Sequence, residues 1–457
     1  MPALMVQGVS SWAGKSLLTT ALVRFFVRRG VRVAPFKGQN MSNNARVVDG
    51  GEIGVAQYLQ ALAAGVEPDV RMNPVLVKPE GERRSQVVVD GRPDLELSAL
   101  PWRGRGPLLW PPIERALHSL LDEFELVVIE GAGSPAEINL RDTDLTNMRV
   151  ALAAAAPVLL VADIDRGGAF AHLFGTWSLL GGAERASIRA FVLNKFRGDP
   201  SLLAPAPAEL ERLTQVPVIG VLPWLDHGLP DEDGAAARDG FGATVGVVRY
   251  PTASNLDEFR RLEQVARVEW ITDAHGVDRA ELVVLPGSKH VSADLAWLRA
   301  RGLAKAIADR VEAGRRVLGI CGGLQLLGER LDDDAKVDGS ASGLGLLPVM
   351  TRFGRDKLTR RVAVRFEQLP EQWAALDGVE FEGYEIRHGR LEPALDVVGQ
   401  GSVLGLMAHG MFENDSVLEA LFGRAPSRSL DAVFDDLADS VERYLDADRL
   451  LALAGVA

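Results

Sequence analysis

The sequence predicts an α/β protein of two doubly wound domains, in which each parallel sheet has helices on both faces. Short β-branched runs alternate with helical segments through the first half, and a polar, glycine-rich stretch at 231–243 then interrupts the alternation. The alternation restarts after this stretch. We therefore expect a first domain at 1–230, a linker at 231–243, a second domain at 244–425 and a C-terminal helical tail at 426–457.

The strands of each domain are expected at its β-branched runs, because strands buried on both faces are almost continuously apolar. In the first domain these runs are ALMVQG, VRVAPFK, ELVVIEG, PVLLVAD, AFVLNKF and VPVIGVLP. In the second domain they are TVGVVRY, ELVVLPGS and RRVLGICGG. The tail has apolar residues at helical spacing and is expected to form one terminal helix.

Composition and charge are those of an ordinary globular protein, with 47% hydrophobic and 25% charged residues. The formal net charge of -12 repels phosphate backbones and the basic residues are dispersed, so no nucleic-acid partner is expected. The longest apolar runs, such as VALAAAAPVLLVA, are too short to span a bilayer, so no membrane segment is expected. The single cysteine cannot form an intrachain disulfide and the amino terminus lacks a signal-peptide pattern, which together favour a cytoplasmic location.

A candidate phosphate site follows the first strand, where residues 8 to 16 read GVSSWAGKS. A loop between a strand and a helix can aim backbone N–H groups at phosphate oxygens, and the helix amino terminus adds a favourable potential. Here Gly8 and Gly14 shape the loop, while Lys15 supplies a charge and Ser16 a hydroxyl that can bind magnesium. Five residues rather than four separate the two glycines, so the sequence predicts a variant P-loop.

Polar residues at the ends of other first-domain strands are expected at the same sheet edge. Lys37 ends one strand-like run, Glu130 the next and Asp163 another. The lysine could hold a transferring phosphoryl group, and the carboxylates could bind magnesium directly or through water. Asn194, in FVLNKFRGD, could contact an adenine edge through its amide. Any of the first three could instead be a solvated strand end, and Asn194 could be a turn residue.

The only cysteine, Cys321, lies in RRVLGICGG, where a strand turns directly into the apolar helix LQLLGER. Such an elbow exposes a nucleophile, places its thiolate at a helix amino terminus and lets the next N–H, that of Gly322, face an oxyanion. Gly287, in the LPGSK turn, could supply a second oxyanion donor. A free cysteine is more often a small buried hydrophobe, so a partner base is needed to decide between the two interpretations.

The best candidate for that base is His409 in GLMAHGMFEND, which also follows an apolar, strand-like run. Taken alone, this residue would be interpreted as a structural histidine. Together with the elbow, it predicts that Cys321 and His409 form a pair for nucleophilic catalysis.

The motifs in both halves resemble known proteins. GICGGLQLLG with LPGSK and a downstream HG is similar to the class I glutamine amidotransferase domain, which has a flavodoxin-like fold. PFKGQNMSNN, GGEIGVAQ, MNPVLVKP, EGAGSPAEINLRD, NMRVA, DIDRGGAF and NKFRGD together resemble the cobyric acid synthase family, whose first domain is a P-loop ATPase similar to dethiobiotin synthetase. The resemblance extends from Gly8 to Asp415.

The resemblance implies an ATP- and glutamine-dependent ligase of cobalamin biosynthesis, with Mg²⁺ as the metal. Its corrin substrate would be adenosylcobyrinic acid a,c-diamide, amidated at side chains b, d, e and g to give adenosylcobyric acid. Each carboxylate would be activated as an acyl phosphate in the first domain, and ammonia released from glutamine would displace the phosphate. Carried over by position, Cys321 is the nucleophile and His409 its base. Similarity to dethiobiotin synthetase-like ATPases makes Lys37, Glu130 and Asp163 candidate phosphate and magnesium residues.

One position departs from the usual amidotransferase pattern, in which a glutamate two residues after the histidine orients the imidazole. Met411 stands at that position here. Either a Cys–His dyad suffices, or another group such as Glu413 or a backbone carbonyl orients the ring, although Glu413 could equally be a solvated loop residue.

Three other functions compete with this interpretation of the sequence. The a,c-diamide synthase of the same pathway shares both domains. It matches this chain less well than the cobyric acid synthase family does at three blocks: NMSNN after PFKGQ, GGEIGVAQ and SPAEINL. A partitioning-type P-loop ATPase would have no use for Cys321 and His409. An amidotransferase-like binding module without activity would be compatible with the absent glutamate.

Overall fold

The computed structural model describes residues 2–81, 84–229 and 242–456. Two parallel sheets, one in each half of the chain, have separate apolar clusters on their two faces, so the predicted fold class is confirmed. The predicted linker lies outside the described residues except for Gly242 and Ala243. None of the described helices is long and apolar enough to cross a membrane.

The first domain alternates strands with helices. Its strands are β1 (Ala3–Gly8), β2 (Val33–Phe36), β3 (Gln39–Met41), β4 (Ala45–Val48), β5 (Gly51–Gly54), β6 (Val75–Gly81), β7 (Arg84–Val89), β8 (Arg92–Asp94), β9 (Leu126–Glu130), β10 (Val158–Asp163), β11 (Ile188–Phe196) and β12 (Val218–Pro223). Its helices are α1 (Lys15–Val27), α2 (Val55–Ala64), α3 (Leu95–Ala99), α4 (Trp102–Glu123), α5 (Met148–Ala153), α6 (Ala169–Leu179), α7 (Gly182–Ser187) and α8 (Ala206–Thr214). Short 3₁₀ turns cover Val70–Met72, Arg141–Thr143 and Pro200–Leu203.

The main sheet of this domain runs in the order β12-β11-β10-β1-β9-β2 with all neighbours parallel. All six residues of β1 are buried, as expected for a strand covered on both faces. Because β9 and β10 flank β1, their ends lie on either side of the loop that follows it. The chain between β2 and α4 also forms a smaller sheet, in the order β3-β6-β7-β8, and the hairpin β4–β5, which the strand-like runs did not predict.

The second domain repeats the alternation and adds a long hairpin. Its strands are β13 (Thr244–Val248), β14 (Ala253–Ser254), β15 (Arg267–Ile271), β16 (Leu282–Leu285), β17 (Gly287–Ser288), β18 (Val317–Ile320), β19 (Arg330–Asp332), β20 (Ala341–Ser342), β21 (Met350–Arg365), β22 (Glu380–Glu392), β23 (Val397–Gln400) and β24 (Val403–Leu406). Its helices are α9 (Phe259–Leu262), α10 (Ala274–Arg279), α11 (Val291–Ala300), α12 (Leu303–Glu312), α13 (Gly322–Leu327) and α14 (Asp415–Phe422). Its 3₁₀ turns cover Leu256–Glu258, Glu371–Leu376 and Met411–Glu413.

The second sheet runs in the order β15-β13-β16-β18-β24-β23, parallel except for the pair β23–β24. The strands β21 and β22 pair antiparallel outside this sheet. The hairpin β4–β5 of the first domain packs against them, so the two domains meet along β4, β21 and β22.

The C-terminal tail differs from the expected single helix. It forms two helices, α15 (Leu430–Tyr444) and α16 (Ala447–Ala454). The chain breaks at Leu445, which is extended and pairs with Gly220 of β12, and Asp446 caps α16 by accepting from Arg449 N. The prediction of a single helix was wrong because the pairing of Leu445 with Gly220 interrupts the helix. The spacing of apolar residues in the sequence does not reveal this pairing.

The tail returns to the first domain and completes one face of its core. Its apolar side chains pack with those of β1 and α1 in a single cluster, and Phe434 is 1% exposed. Arg24 of α1 donates to both carboxylate oxygens of Asp435, at 2.8 and 3.2 Å. The helix that carries Lys15 and Ser16 is therefore supported by the last residues of the chain.

Candidate active sites

The predicted P-loop forms a tight turn between β1 and α1. Gly14 precedes the helix with φ 94°, a left-handed conformation that favours glycine. A β-carbon at this position would also lie 2.0 Å from Nδ2 of Asn194. The Lys15 ammonium donates to the carbonyls of Ser10, at 3.1 Å, and Gly133, at 3.2 Å, which curls its side chain over the loop. The loop therefore has the shape of a phosphate cradle.

Glu130, at the end of the adjacent strand, contacts two of the other predicted residues. Its Oε1 accepts from Ser16 Oγ at 2.8 Å and from Lys37 Nζ at 2.9 Å, and the carboxylate is fully buried. Its Oε2 accepts from Gln60 Nε2 at 2.6 Å. Gln60 was not predicted, although it and Gln57 stand one helical turn apart on α2, and two buried amides at that spacing could have indicated a polar partner.

Asp163 and Asn194 end the neighbouring strands β10 and β11 on the other side of the loop. The carboxylate of Asp163 contacts Lys195 at 3.1 Å and Arg166 at 3.4 Å. The amide of Asn194 donates to the carbonyl of Ala13 at 2.9 Å, and its oxygen accepts from Lys195 N at 2.9 Å. Asn194 thus stabilises the P-loop through its hydrogen bond to Ala13, and its contact with adenine stays a prediction.

The oxygen donors around Ser16 fit a magnesium ion that is shared with a nucleotide. A hydroxyl and a carboxylate in direct contact are ligands that Mg²⁺ prefers. Within the described ranges, no group of three His, Cys, Asp or Glu side chains could hold a metal ion unaided. An ion here would therefore take phosphate oxygens or water molecules as its remaining ligands.

A cavity of about 550 Å³ opens over the P-loop. Lys15 and Lys37 line it from the first domain, together with residues 40–44. Arg249 and Leu256 line it from the second domain. The phosphate cradle therefore opens toward the domain interface.

Cys321 stands on the predicted elbow between β18 and α13. Its backbone has φ 50° and ψ -105°, a strained conformation for a residue with a side chain, and it is 5% exposed. A β-carbon at Gly322 would lie 2.5 Å from Ser288 N, so only glycine allows the two strand ends to approach. A β-carbon at Gly287 would lie 2.6 Å from Cε1 of His409. The structure thus brings the cysteine, the histidine and both predicted oxyanion glycines together.

His409 is oriented by Glu258, which was not predicted. Nδ1 of the buried imidazole lies 3.0 Å from Glu258 Oε1, and Glu258 Oε2 accepts from Gly410 N at 2.9 Å. Burial alone would lower the pKa of His409, but the charge and hydrogen bond of Cys321 and the contact with Glu258 raise it to about 10. The protonated, positively charged form of the imidazole is therefore favoured between the Cys321 sulfur and the Glu258 carboxylate.

The predictions for this third residue are corrected by Glu258. Neither a dyad alone, nor Glu413, nor a backbone carbonyl orients the ring. Glu413 is not a freely solvated loop residue either: its side chain is 32% exposed and forms an ion pair with the buried Arg46 of the first domain. Glu258 lies 151 residues before His409, in NLDEF, where two adjacent acids give no sign of burial in the sequence.

A second cavity, of about 700 Å³, contains Cys321 and lies between the domains. Gln325 lines it from the helix that follows the elbow, and Lys78 and Glu80 line it from the first domain. Lys289 crosses the interface to Glu80 at 2.8 Å. The cysteine site is therefore enclosed by both domains.

Comparisons with known proteins match both halves of the chain. Residues 4–229 match the CobQ/CobB/MinD/ParA nucleotide binding domain, and residues 244–417 match the CobB/CobQ-like glutamine amidotransferase domain. Three relatives named cobyric acid synthase are similar over nearly their whole length. The protein of Polaromonas sp. (strain JS666 / ATCC BAA-500) is 52% identical over 99% of this chain and 98% of its own. That of Variovorax paradoxus is 54% identical over 98% of both chains, and that of Paracidovorax citrulli 55% identical over 97% of both.

These matches confirm the resemblance seen in the motifs, and they place the P-loop in the nucleotide-binding half and Cys321 in the amidotransferase half. Identity of 52–55% over almost the full length of each relative shows the family. The chain belongs to the cobyric acid synthase family.

Proposed function

We propose that the chain uses ATP and glutamine to amidate the b, d, e and g carboxylates of adenosylcobyrinic acid a,c-diamide, which yields adenosylcobyric acid. The observation that carries this proposal is that three buried side chains, Cys321, His409 and Glu258, lie in a row with His409 in the middle. The same chain also has a P-loop. A nucleophile with an oriented base releases ammonia, and a phosphate cradle activates the acceptor.

The glutaminase half-reaction follows from the row of three side chains. Glu258 occupies Nδ1 of His409, which leaves Nε2 for the hydrogen bond with Cys321. The thiolate attacks the side-chain amide carbon of glutamine, and the oxyanion is stabilised by the N–H of Gly322 and, on our proposal, of Gly287. His409 gives its proton to the leaving nitrogen, so ammonia departs and a thioester remains. Water then hydrolyses the thioester to glutamate.

The ligase half-reaction is assigned to the P-loop cavity. A corrin carboxylate attacks the γ-phosphorus of ATP, ADP leaves, and the resulting acyl phosphate is a far better electrophile than the carboxylate. Lys15 and Lys37 would neutralise phosphate charge, and Ser16 with Glu130 would hold Mg²⁺. Bound Mg²⁺ would supply charge neutralisation on the phosphates. Asp163, one strand away, is a further candidate for this site.

Ammonia has to travel from Cys321 to the acyl phosphate without being protonated by water. Asn43 lines both cavities and therefore lies between the two sites. In the described part of the chain, the buried Oδ1 of Asn43 has no hydrogen-bond partner. We propose that ammonia passes this residue and donates to its oxygen on the way.

The inactive-module alternative loses its support, because the orienting carboxylate thought to be absent is supplied by Glu258. The a,c-diamide synthase is disfavoured, because relatives that are 52–55% identical over nearly their full length are named cobyric acid synthase.

Product analysis by mass spectrometry with a,c-diamide, ATP and glutamine tests the assignment. Four successive replacements of acid by amide are expected. Amidation of cobyrinic acid at a and c instead would favour the competing synthase. Retained glutaminase activity in Cys321→Ala would remove the proposed nucleophile.

A further inference from the structure

A buried arginine of the first domain reaches into the glutaminase site of the second. Arg46 lies on β4 and is 6% exposed. Its guanidinium forms ion pairs with Asp257 and Glu413 and donates to the hydroxyl of Tyr384, over whose ring it stacks at 4.8 Å. All three partners belong to the second domain, so this is a charge cluster across the domain interface.

The partners of Arg46 surround the catalytic histidine. Asp257 directly precedes Glu258, the residue that holds Nδ1 of His409. Tyr384 exchanges two backbone hydrogen bonds with His409, at 3.2 and 2.8 Å, and their rings stack with centroids 5.5 Å apart. A displacement of either partner would therefore move the imidazole or its carboxylate.

Hydrogen bonds to Asn44 and Ala45, at the start of β4, hold the turn Leu256–Glu258 and the residue before it. The side-chain oxygen of Asn44 accepts from Leu256 N at 3.0 Å. Asn255 donates to the carbonyl of Ala45 at 2.8 Å and to the Tyr384 hydroxyl at 2.9 Å. The turn that presents Glu258 is thus held by residues 44–46 of the first domain.

The charge balance explains why an arginine is needed. Asp257, Glu258 and Glu413 bring three carboxylates to this one side of the imidazole. Burial raises the pKa of Asp257, and it raises that of Glu413 to about 7, while Arg46 acts in the opposite direction on both. Without Arg46, the fully buried Asp257 would take up a proton or turn toward water, because an unpaired buried charge is costly, and the partly exposed Glu413 would lose its counter-charge.

We propose that Arg46 is a positioning residue for the glutaminase reaction, supplied by the synthetase domain, and that it acts by fixing the Asp257–Glu258 turn and the loop carrying Glu413 around His409. The proposal rests on the proposed roles of Cys321 and His409. It means that the glutaminase half is complete only when the first domain is docked against it.

The test compares Arg46→Met and Arg46→Lys in the full-length enzyme. Glutamine hydrolysis in Arg46→Met should lose about 10-fold or more in kcat, since a misplacement near 1 Å has effects of this size, with little change in KM for glutamine. Amidation driven by ammonium chloride should stay within about 2-fold, because a Cys–His site is not used in it. Arg46→Lys should recover part of the lost kcat by restoring the charge.

Arg361→Met is the matched control. Arg361 also crosses the domain interface, with an ion pair to Glu67 at 2.7 Å, but both side chains are more than half exposed and neither touches the histidine. Its glutaminase activity should equal that of the wild type. An equal loss in this variant would show that general loosening of the interface, and not Arg46, sets the activity.

A second measurement uses the fact that Cys321 is the only cysteine. Its rate of alkylation by iodoacetamide reports the state of the thiol without any turnover, and it should fall in Arg46→Met in parallel with kcat. If Arg46→Met does not fold, Asp257→Asn can be used instead, because it keeps the shape of the side chain. This variant should also lose glutamine-driven amidation while it keeps ammonia-driven amidation.

Wild-type glutaminase kcat in folded Arg46→Met, or equal loss of glutamine- and ammonia-driven amidation in the folded variants, would overturn the proposal. Retained glutaminase in Cys321→Ala would instead overturn the proposed function, so the two failures are distinguishable.

Discussion

The two candidate sites differ in how their charged groups are partnered. In the second domain, His409 is already held between Cys321 and Glu258, and Cys321, the proposed nucleophile, already stands on its strained elbow. In the first domain, Lys15 donates to two backbone carbonyls and Lys37 to the buried Glu130. Phosphate oxygens would be better partners for the Lys15 ammonium than these neutral carbonyls.

One site is therefore assembled by the fold, whereas the other is completed by its ligand. The glutaminase row gains its orientation from the protein alone, including Arg46 of the other domain. In the P-loop site, the ammonium groups of Lys15 and Lys37 contact protein groups that the phosphates of a nucleotide can replace. Substitutions should therefore affect the two sites by different mechanisms.

Replacement of the nucleophile should produce the largest effect. We expect Cys321→Ala to lower glutamine hydrolysis and glutamine-driven amidation by about 10³-fold or more, since no thioester can form. Ammonia-driven amidation should persist, because the P-loop site is untouched. Steady-state assays with glutamine and with ammonium chloride measure both. Loss of the ammonia-driven reaction in the folded variant would show that the sites are not separate.

Replacement of the P-loop lysine should give the opposite pattern. We expect Lys15→Met to lower amidation from both nitrogen sources by about 10²-fold, because a charge that stabilises the transferring phosphoryl group is lost. Glutamine hydrolysis should continue. Measurement of ADP and glutamate release in parallel checks this, and a variant that retains amidation would exclude Lys15 from phosphoryl transfer.

Neutralisation of the orienting carboxylate should have an intermediate effect. We expect Glu258→Gln to lower glutaminase kcat by about 10- to 100-fold, because the imidazolium loses its counter-charge. In the wild type the proton on His409 should be lost only as the pH rises through about 10, and in Glu258→Gln at a lower pH, since a negative charge that favours the protonated form is gone. A pH–rate profile measures the shift, and an unchanged alkaline limb would contradict the role of Glu258.

Truncation of the tail core should affect activity least and stability most. Leu437 is 3% exposed in the cluster that backs α1, and we expect Leu437→Ala to lower the free energy of unfolding by about 2–5 kcal/mol. Asp439→Ala, which breaks only the half-exposed pair with Arg28, should cost less than about 1 kcal/mol. Chemical denaturation monitored by circular dichroism checks both, and equal losses would show that the tail is held by charge rather than packing.

The sequence was sufficient for what depends on local patterns. The strand alternation predicted the two doubly wound domains, and the GKS loop and the ICGG elbow were both located from a few consecutive residues. These features are readable because a loop between a strand and a helix needs particular residue types at fixed spacing.

Long-range contacts were not readable. Glu258 lies 151 residues from His409, and Arg46 lies 367 residues from Glu413, so their pairing exists only after the chain has folded and the domains have docked. The sequence alone therefore allows Glu413 to be interpreted as a solvated residue, whereas in the structure it is a carboxylate at the domain interface. The break in the tail was missed for the same reason, since it depends on pairing between Leu445 and Gly220.

On the proposed function, nitrogen released at Cys321 is consumed at the P-loop site of the same molecule. The most direct test supplies corrin a,c-diamide, ATP, glutamine with heavy nitrogen in its side-chain amide, and an excess of ordinary ammonium, and then weighs the product by mass spectrometry. Four heavy amides from the wild type, and only light amides from Cys321→Ala, are expected. Light amides from the wild type, or no product from folded Cys321→Ala, would contradict the claim.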